Sequence, residues 1–249
     1  MTQEELNYLK KAAVTGDVKA QIQLATAYCN GKDLPQNHVE ASKWFLKAAE
    51  QGSPNAQFYI AEMYFKGLGV ERNDSKAFVW YRKAAEQGVT AAYPMLSIMY
   101  NCGLGVKKND AESFKWGLKA AKLGIAMCQR IVGNYYEEGK IVEQNYFEAY
   151  QWYWKAAQQG DKEAQNGLGC LYAQGKGVAE NYDTALQWFL KAAKQGLPEA
   201  ISNVGHVYEI WGNRKEAKRW YSLAVEKGYK PAKEGLRRTR SEWSWFWKT

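Results

Sequence analysis

An alanine pair followed three residues later by glycine recurs along this chain at a constant interval, and that spacing constrains the fold more than any other feature. The pairs start at Ala12, Ala48, Ala84, Ala120, Ala156 and Ala192, and their glycines are Gly16, Gly52, Gly88, Gly124, Gly160 and Gly196, always 36 residues apart. A last copy, Ala224-Val225-Glu226-Lys227-Gly228, follows after 32. A fixed period overrides the one or two closed domains that 249 residues would otherwise suggest, because stacked repeats share one continuous core. The spacing predicts a single elongated domain over 1–249. It has an N-terminal capping helix in 1–16, six repeats in 17–228 with the last shortened to 32 residues, and a basic, aromatic capping helix and tail in 229–249.

Each repeat holds two helical patterns. The first, helix A, carries a small residue, an aliphatic one four later and tyrosine four later again: Ala20/Leu24/Tyr28, Ala56/Ile60/Tyr64, Ala92/Leu96/Tyr100, Cys128/Val132/Tyr136, Ala164/Leu168/Tyr172 and Ala200/Val204/Tyr208. That stripe is one side of an α-helix. A small residue beside it (Ala25, Ala61, Ser97, Gly133, Gly169, Gly205) leaves room for a neighbouring helix to approach. A loop with glycines follows, such as Gly67-Leu68-Gly69, Gly103-Leu104-Gly105 and Gly175-Lys176-Gly177, and ends at an asparagine in register: Asn37, Asn73, Asn109, Asn145 and Asn181. Asparagine is a strong N-cap, and Glu40, Glu112 and Glu148 stand where the reciprocal half of a capping box belongs. Helix B starts there, buries a wide stripe of tryptophan, aromatic and alanine residues, and stops at the periodic glycine in a left-handed cap. Pro94 falls in the first turn of the third A helix, where its missing N–H costs least.

The Leu/Ala-x-x-Tyr-x-x-Gly-x-Gly-Val and Ala-x-x-Trp-Tyr-x-Lys-Ala-Ala-x-x-Gly patterns resemble those of the Sel1-like repeat family, relatives of the tetratricopeptide repeats, over Asp17 to Gly228. The resemblance implies an all-α fold: a right-handed α-solenoid, or superhelix, of antiparallel helix pairs with terminal capping helices. Its A helices would line a concave face that binds proteins or peptides. Members of the family serve in bacterial signalling, host interaction and toxin neutralisation. Cysteine-rich secreted members join the helices of each repeat by disulfides, and some are linked to β-lactam binding. In this chain Cys29, Cys102, Cys128 and Cys170 never fall twice within one repeat, which reads as reduced thiols.

The residues offer little for catalysis. His38 and His206 are the only histidines and lie some five repeats apart, and no phosphate-loop or zinc-protease string is present. No metal or other cofactor is expected. The acidic opening residues do not resemble a signal peptide and no run approaches a membrane span, so a cytoplasmic chain is expected. The net charge of +8 is concentrated after Asn213, where eleven basic residues face four acids. An anionic partner would therefore sit at that end, although nucleic acid is not the expected partner. The final Trp243, Trp245, Phe246 and Trp247 read either as rings folded back over the last helices, as a membrane contact or as a dimer contact.

Function is expected from what varies beneath the repeat. On helix A, three positions turned away from helix B carry Tyr59, Glu62 and Lys66; Met95 and Ile98; Ile131, Asn134 and Glu138; and Asn203 and His206. An apolar strip of Tyr59, Met95, Ile98 and Ile131 with a polar rim has the anatomy of a peptide groove. The expectation is a non-enzymatic scaffold or adaptor that binds a protein or peptide along this face. The alternatives are an immunity or inhibitor protein that neutralises a toxin, and a hydrolase acting on a cell-wall or β-lactam substrate.

Overall fold

The computed structural model describes residues 2–240, so the aromatic tail, with Trp243, Trp245 and Trp247, lies outside the described residues. Among the described residues every regular element is a helix. A B-type helix, α1 (Gln3–Val14), comes first. A-type and B-type helices then alternate: α2 (Val18–Asn30) and α3 (His38–Glu50), α4 (Pro54–Lys66) and α5 (Asp74–Glu86), α6 (Ala92–Cys102) and α7 (Asp110–Lys122). The alternation continues through α8 (Ala126–Glu138) and α9 (Tyr146–Gln158), α10 (Lys162–Gln174) and α11 (Tyr182–Lys194), α12 (Pro198–Ile210) and α13 (Arg214–Glu226), and ends on the A-type α14 (Ala232–Arg240). The chain divides into two compact units, Met1–Ala120 and Ala121–Thr249. Within each, successive helices pack on one another as antiparallel pairs of the solenoid type.

The cap asparagines act as their sequence predicts on one side and differently on the other. Asn37, Asn73, Asn145 and Asn181 each accept a bond at the side-chain oxygen from the N–H three residues on, as Asn109 does from Glu112. The expected reciprocal glutamate bond is not what holds the other side. The N–H of Asn37 donates to the carbonyl of Tyr28 at 2.9 Å, and Asn73, Asn145 and Asn181 donate likewise to Tyr64, Tyr136 and Tyr172. With that N–H already used, Glu40 pairs with Lys43, and Glu112 with Lys115 and the Trp116 indole. The shortened last repeat keeps the same tie, Asn213 N–H to Tyr208 carbonyl at 2.9 Å, so shortening the loop preserves its closing bond. In the third repeat α6 begins only at Ala92, after a turn closed by Ala92 N–H to Val89 carbonyl, and Pro94 is accommodated near its start.

The small residues of helix A admit an aromatic ring in most repeats, while in the third, where Gly117 follows Trp116, Ser97 meets the α7 backbone itself and donates to the Ser113 carbonyl at 3.0 Å. The ring belongs to the residue after the repeated tryptophan of helix B. A methyl group on Gly133 would lie 2.7 Å from the Tyr153 ring, and one on Gly169 would lie 2.4 Å from Phe189. The Tyr153 ring also meets Gly167 of α10, so it stands between two successive A-type helices. Phe45, Tyr81, Tyr153, Phe189 and Tyr221 are all buried in this way, each contributing about 1.5–3 kcal/mol of apolar burial. Except at Trp220, which has Leu223 there, the tryptophans before them carry a lysine three residues on, stacked over the ring, as in Lys83 over Trp80 at 4.3 Å.

Two further devices join neighbouring repeats. The second glycine of the Gly-x-Gly loop lets the loop meet the start of the preceding helix B: a Cβ on Gly105 would stand 2.2 Å from the Asp74 carbonyl oxygen. The other device is a chain of buried glutamines. Gln57 Nε2 donates to the Ala49 carbonyl at 3.3 Å, capping the end of α3, while its Oε1 accepts from Gln87 at 2.7 Å. Gln21 with Gln51, Gln129 with Gln159, and Gln165 with Gln195 repeat the arrangement. Replacing Gln165 by Ala removes two bonds of the ladder, while the Ala157 carbonyl keeps the Gly160 N–H and the Gln195 amide keeps the Gly160 carbonyl, and is expected to lower stability by about 0.5–1.5 kcal/mol in chemical denaturation. A loss no larger than that of an exposed control such as Gln187→Ala would show that the ladder carries no weight.

Candidate partner-binding faces

In the first unit the varying residues of helix A are mounted on the aromatic packing beneath them. Tyr59 on α4 is 45% exposed, yet its ring stacks on buried Phe45 at 5.0 Å between centroids and meets Phe58 edge-on at 5.8 Å. It is an exposed aromatic side chain with little rotamer freedom left to lose. One turn on, Glu62 accepts the hydroxyl of Tyr81 and pairs with Lys66. Burial, and then the Glu62 carboxylate, hold the Tyr81 hydroxyl well above its ordinary titration range, so it remains a donor. Met95 and Ile98 on α6 are half-buried.

The second unit differs. Ile131, expected at the surface of an apolar strip, is 9% exposed and counts as core. A helical wheel gives its direction, but it cannot show that packing closes over it. What the unit presents there is mostly polar, with Ile210 at the end of α12 as an exposed apolar residue. The Tyr153 hydroxyl lies 2.5 Å from Glu137 Oε2 and 2.7 Å from Asn134 Oδ1. Asn203 donates to Asn166 at 2.9 Å, Glu138 pairs with Lys140 at 2.7 Å, and His206 stands exposed with Nδ1 3.8 Å from Glu209.

Glu137 and Glu209 were not among the positions singled out by the helical pattern. Glu209 accepts from Tyr221 at 2.6 Å and receives both nitrogens of the Arg238 fork at 2.8 and 2.9 Å. The signal for them was present in the ring position of helix B, which is tyrosine at Tyr81, Tyr153 and Tyr221 but phenylalanine at Phe45 and Phe189. Only a tyrosine carries a hydroxyl through to the A face.

His38 belongs to the first unit and His206 to the second, and no group of three or more His, Cys, Asp or Glu among the described residues could hold a metal ion. No helix among them is long and apolar enough to cross a membrane.

The Arg238 fork, seconded by Tyr221, holds the Glu209 carboxyl down at about 2 from an ordinary 4.5. A carboxylate with a depressed folded-state value adds stability above its unfolded value, and that stability is lost as pH falls towards the folded one. Arg238→Gln is therefore expected to be less stable than the parent at neutral pH, with the gap closing between about 4.5 and about 2. Thermal midpoints of both proteins across that range check this, and a constant gap would contradict it.

The Sel1 repeat profile matches residues 18–53, 54–89, 91–125, 126–161, 162–197 and 198–229. Among solved structures, a protective antigen of uropathogenic Escherichia coli with an SLR fold is 30% identical with a TM-score of 0.77; the match covers 95% of this chain and 52% of that one. This chain thus spans about half the length of that antigen. A Sel1 repeat protein from Oxalobacter formigenes is 32% identical with a TM-score of 0.65, over 90% of this chain and 94% of that one. No curated protein sequence matches. On the repeat matches and these two structures, the chain belongs to the Sel1 repeat family.

Proposed function

We propose that this chain is a non-enzymatic scaffold that binds a protein or peptide partner through its A-type helices. The observation that carries the reading is how the exposed residues divide. Residues that recur with the period are consumed by caps, rings and the glutamine ladder. The varying A-helix residues Tyr59, Glu62, Lys66, Met95, Ile98, Asn134, Glu138, Asn203 and His206 are left at least partly accessible. Tyr59 is the anchor: a large ring already immobilised on Phe45 loses little entropy on contact, and a charged pair, Glu62 and Lys66, stands beside it. Ile131 is left out of the contact set because it is buried.

Selection of the full chain against a displayed library of random peptides tests this. The expected result is an enriched apolar motif whose capture falls at least about tenfold in Tyr59→Ala combined with Ile98→Ala. Helicity should be unchanged, and capture by Val79→Ala, altered at a 47% exposed residue of α5, should be intact. Absence of any enriched motif, or capture indifferent to Tyr59 and Ile98, would overturn the reading.

A further inference from the structure

Glu137 on α8 and Glu209 on α12 occupy the same register position, two periods of 36 residues apart. Each accepts from the ring-position tyrosine of its own repeat, Tyr153 at 2.5 Å and Tyr221 at 2.6 Å. At Glu209 the arrangement is completed by a guanidinium, because Arg238 of α14 forks onto both carboxylate oxygens at 2.8 and 2.9 Å. Arg238 stands ten residues after Gly228, and the residue ten after Gly160 is Cys170. The correspondence also holds in space. Gly167 and Gly235, each seven residues after its periodic glycine, meet the Tyr153 and Tyr221 rings, where added Cβ atoms would lie 3.0 and 2.4 Å away.

The same position thus holds a short thiol at Cys170 and, two repeats on, a cation at Arg238. Burial, and then the neighbouring Glu137 charge, push the Cys170 thiol up to about 12, so it stays neutral and brings Glu137 no compensating charge. The cations nearby are engaged elsewhere. Arg130 of the same helix pairs with Asp161 at 3.2 Å, Lys140 with Glu138 at 2.7 Å, and Lys176 lies over the Tyr146 ring at 5.1 Å.

We infer that the Tyr153–Glu137 pair is a receptor for the guanidinium of an arginine on the bound partner, an inference that rests on the scaffold reading. The partner's side chain takes the place that Arg238 takes at Glu209. A guanidinium fits because its planar fork spans both oxygens of one carboxylate, and its remaining N–H groups need acceptors. The side-chain oxygen of Asn203 is placed to take one of these, on an amide whose Nδ2 donates to Asn166 and lies 3.8 Å from the Cys170 sulfur.

The test is a titration of the full chain with N-acetyl-arginine N′-methylamide, followed by the side-chain amide resonances of Asn134 and Asn166. N-acetyl-citrulline N′-methylamide serves as the neutral isostere. The expected result is saturable shifts with the arginine compound only, weakened at least about tenfold by Glu137→Gln, which keeps an acceptor for Tyr153. Cys170→Arg should raise the thermal midpoint and abolish probe binding, and the rise should vanish when Glu137→Gln is added. Equal shifts with both compounds, no shifts at all, or a titration indifferent to Glu137→Gln would each overturn the inference. Failure of peptide selection at Tyr59 with this titration intact would sink the scaffold reading alone, and the converse result would sink the arginine receptor alone.

Discussion

The aromatic ring that helix B places against small residues of helix A sets the geometry on which everything else in each unit depends. Tyr153 is closed in by Gly133 and Gly167, and Tyr221 by Gly205 and Gly235, so one ring spaces two successive A-type helices. The contact has tolerance on neither side. Added methyl groups at these glycines meet ring carbons well inside contact distance, and a missing ring would leave a cavity of the kind that costs about 3–5 kcal/mol. The glutamine ladder and the Gly-x-Gly contact then lock a spacing that the ring has already chosen.

That wedge also decides what the A face can offer. Where the ring is phenylalanine, as at Phe189, the stack is apolar to its end. Where it is tyrosine, the hydroxyl reaches the face and fixes a carboxylate: Glu62 by Tyr81, Glu137 by Tyr153, Glu209 by Tyr221. A carboxylate held by a buried donor is oriented before any partner arrives, unlike a surface glutamate free to rotate. One oxygen atom on a core residue therefore links the packing of the repeat to the chemistry of its surface. This gives a physical reason for the choice between tyrosine and phenylalanine wherever the position is aromatic, as it is in every repeat but the third, which has Gly117.

Legibility in the sequence followed the distance over which each interaction acts. The asparagine caps, the periodic glycines and the Ala/aliphatic/Tyr stripe were readable because each is settled within about one helical turn. The capping box was misread because the N–H it needs is taken by Tyr28 or its equivalents, nine residues back and across the loop. The glutamines at the helix ends look like solvated polar residues until Gln57 is seen between the Ala49 carbonyl and Gln87, the latter 30 residues away. At the candidate site, Tyr59 and Glu62 follow from helical direction alone. Glu137 does not, because the adjacent Glu138 makes it read as part of a solvated helix end until Tyr153 picks it out. Ile131 fails for the opposite reason, since helical direction does not register what closes over a side chain.

The charge at the C-terminal end shows how much a count of residues overstates. Of the basic residues that follow Asn213, Arg219 faces Glu216 at 3.5 Å, Arg237 faces Glu234 at 2.8 Å, and Arg238 is committed to Glu209. The first two pairs are largely exposed and worth little in stability. They nevertheless place a carboxylate beside each guanidinium, which weakens the attraction of α13 and α14 for a polyanion. The third pair differs in kind, because Tyr221 has already oriented its carboxylate. A cation that closes a repeat from within is no longer available to a partner, so the end that looks most suited to an anion is partly spent on holding α14 to α12. The carboxylate at Glu137, in the same register but facing a thiol, carries the opposite charge with no such internal partner.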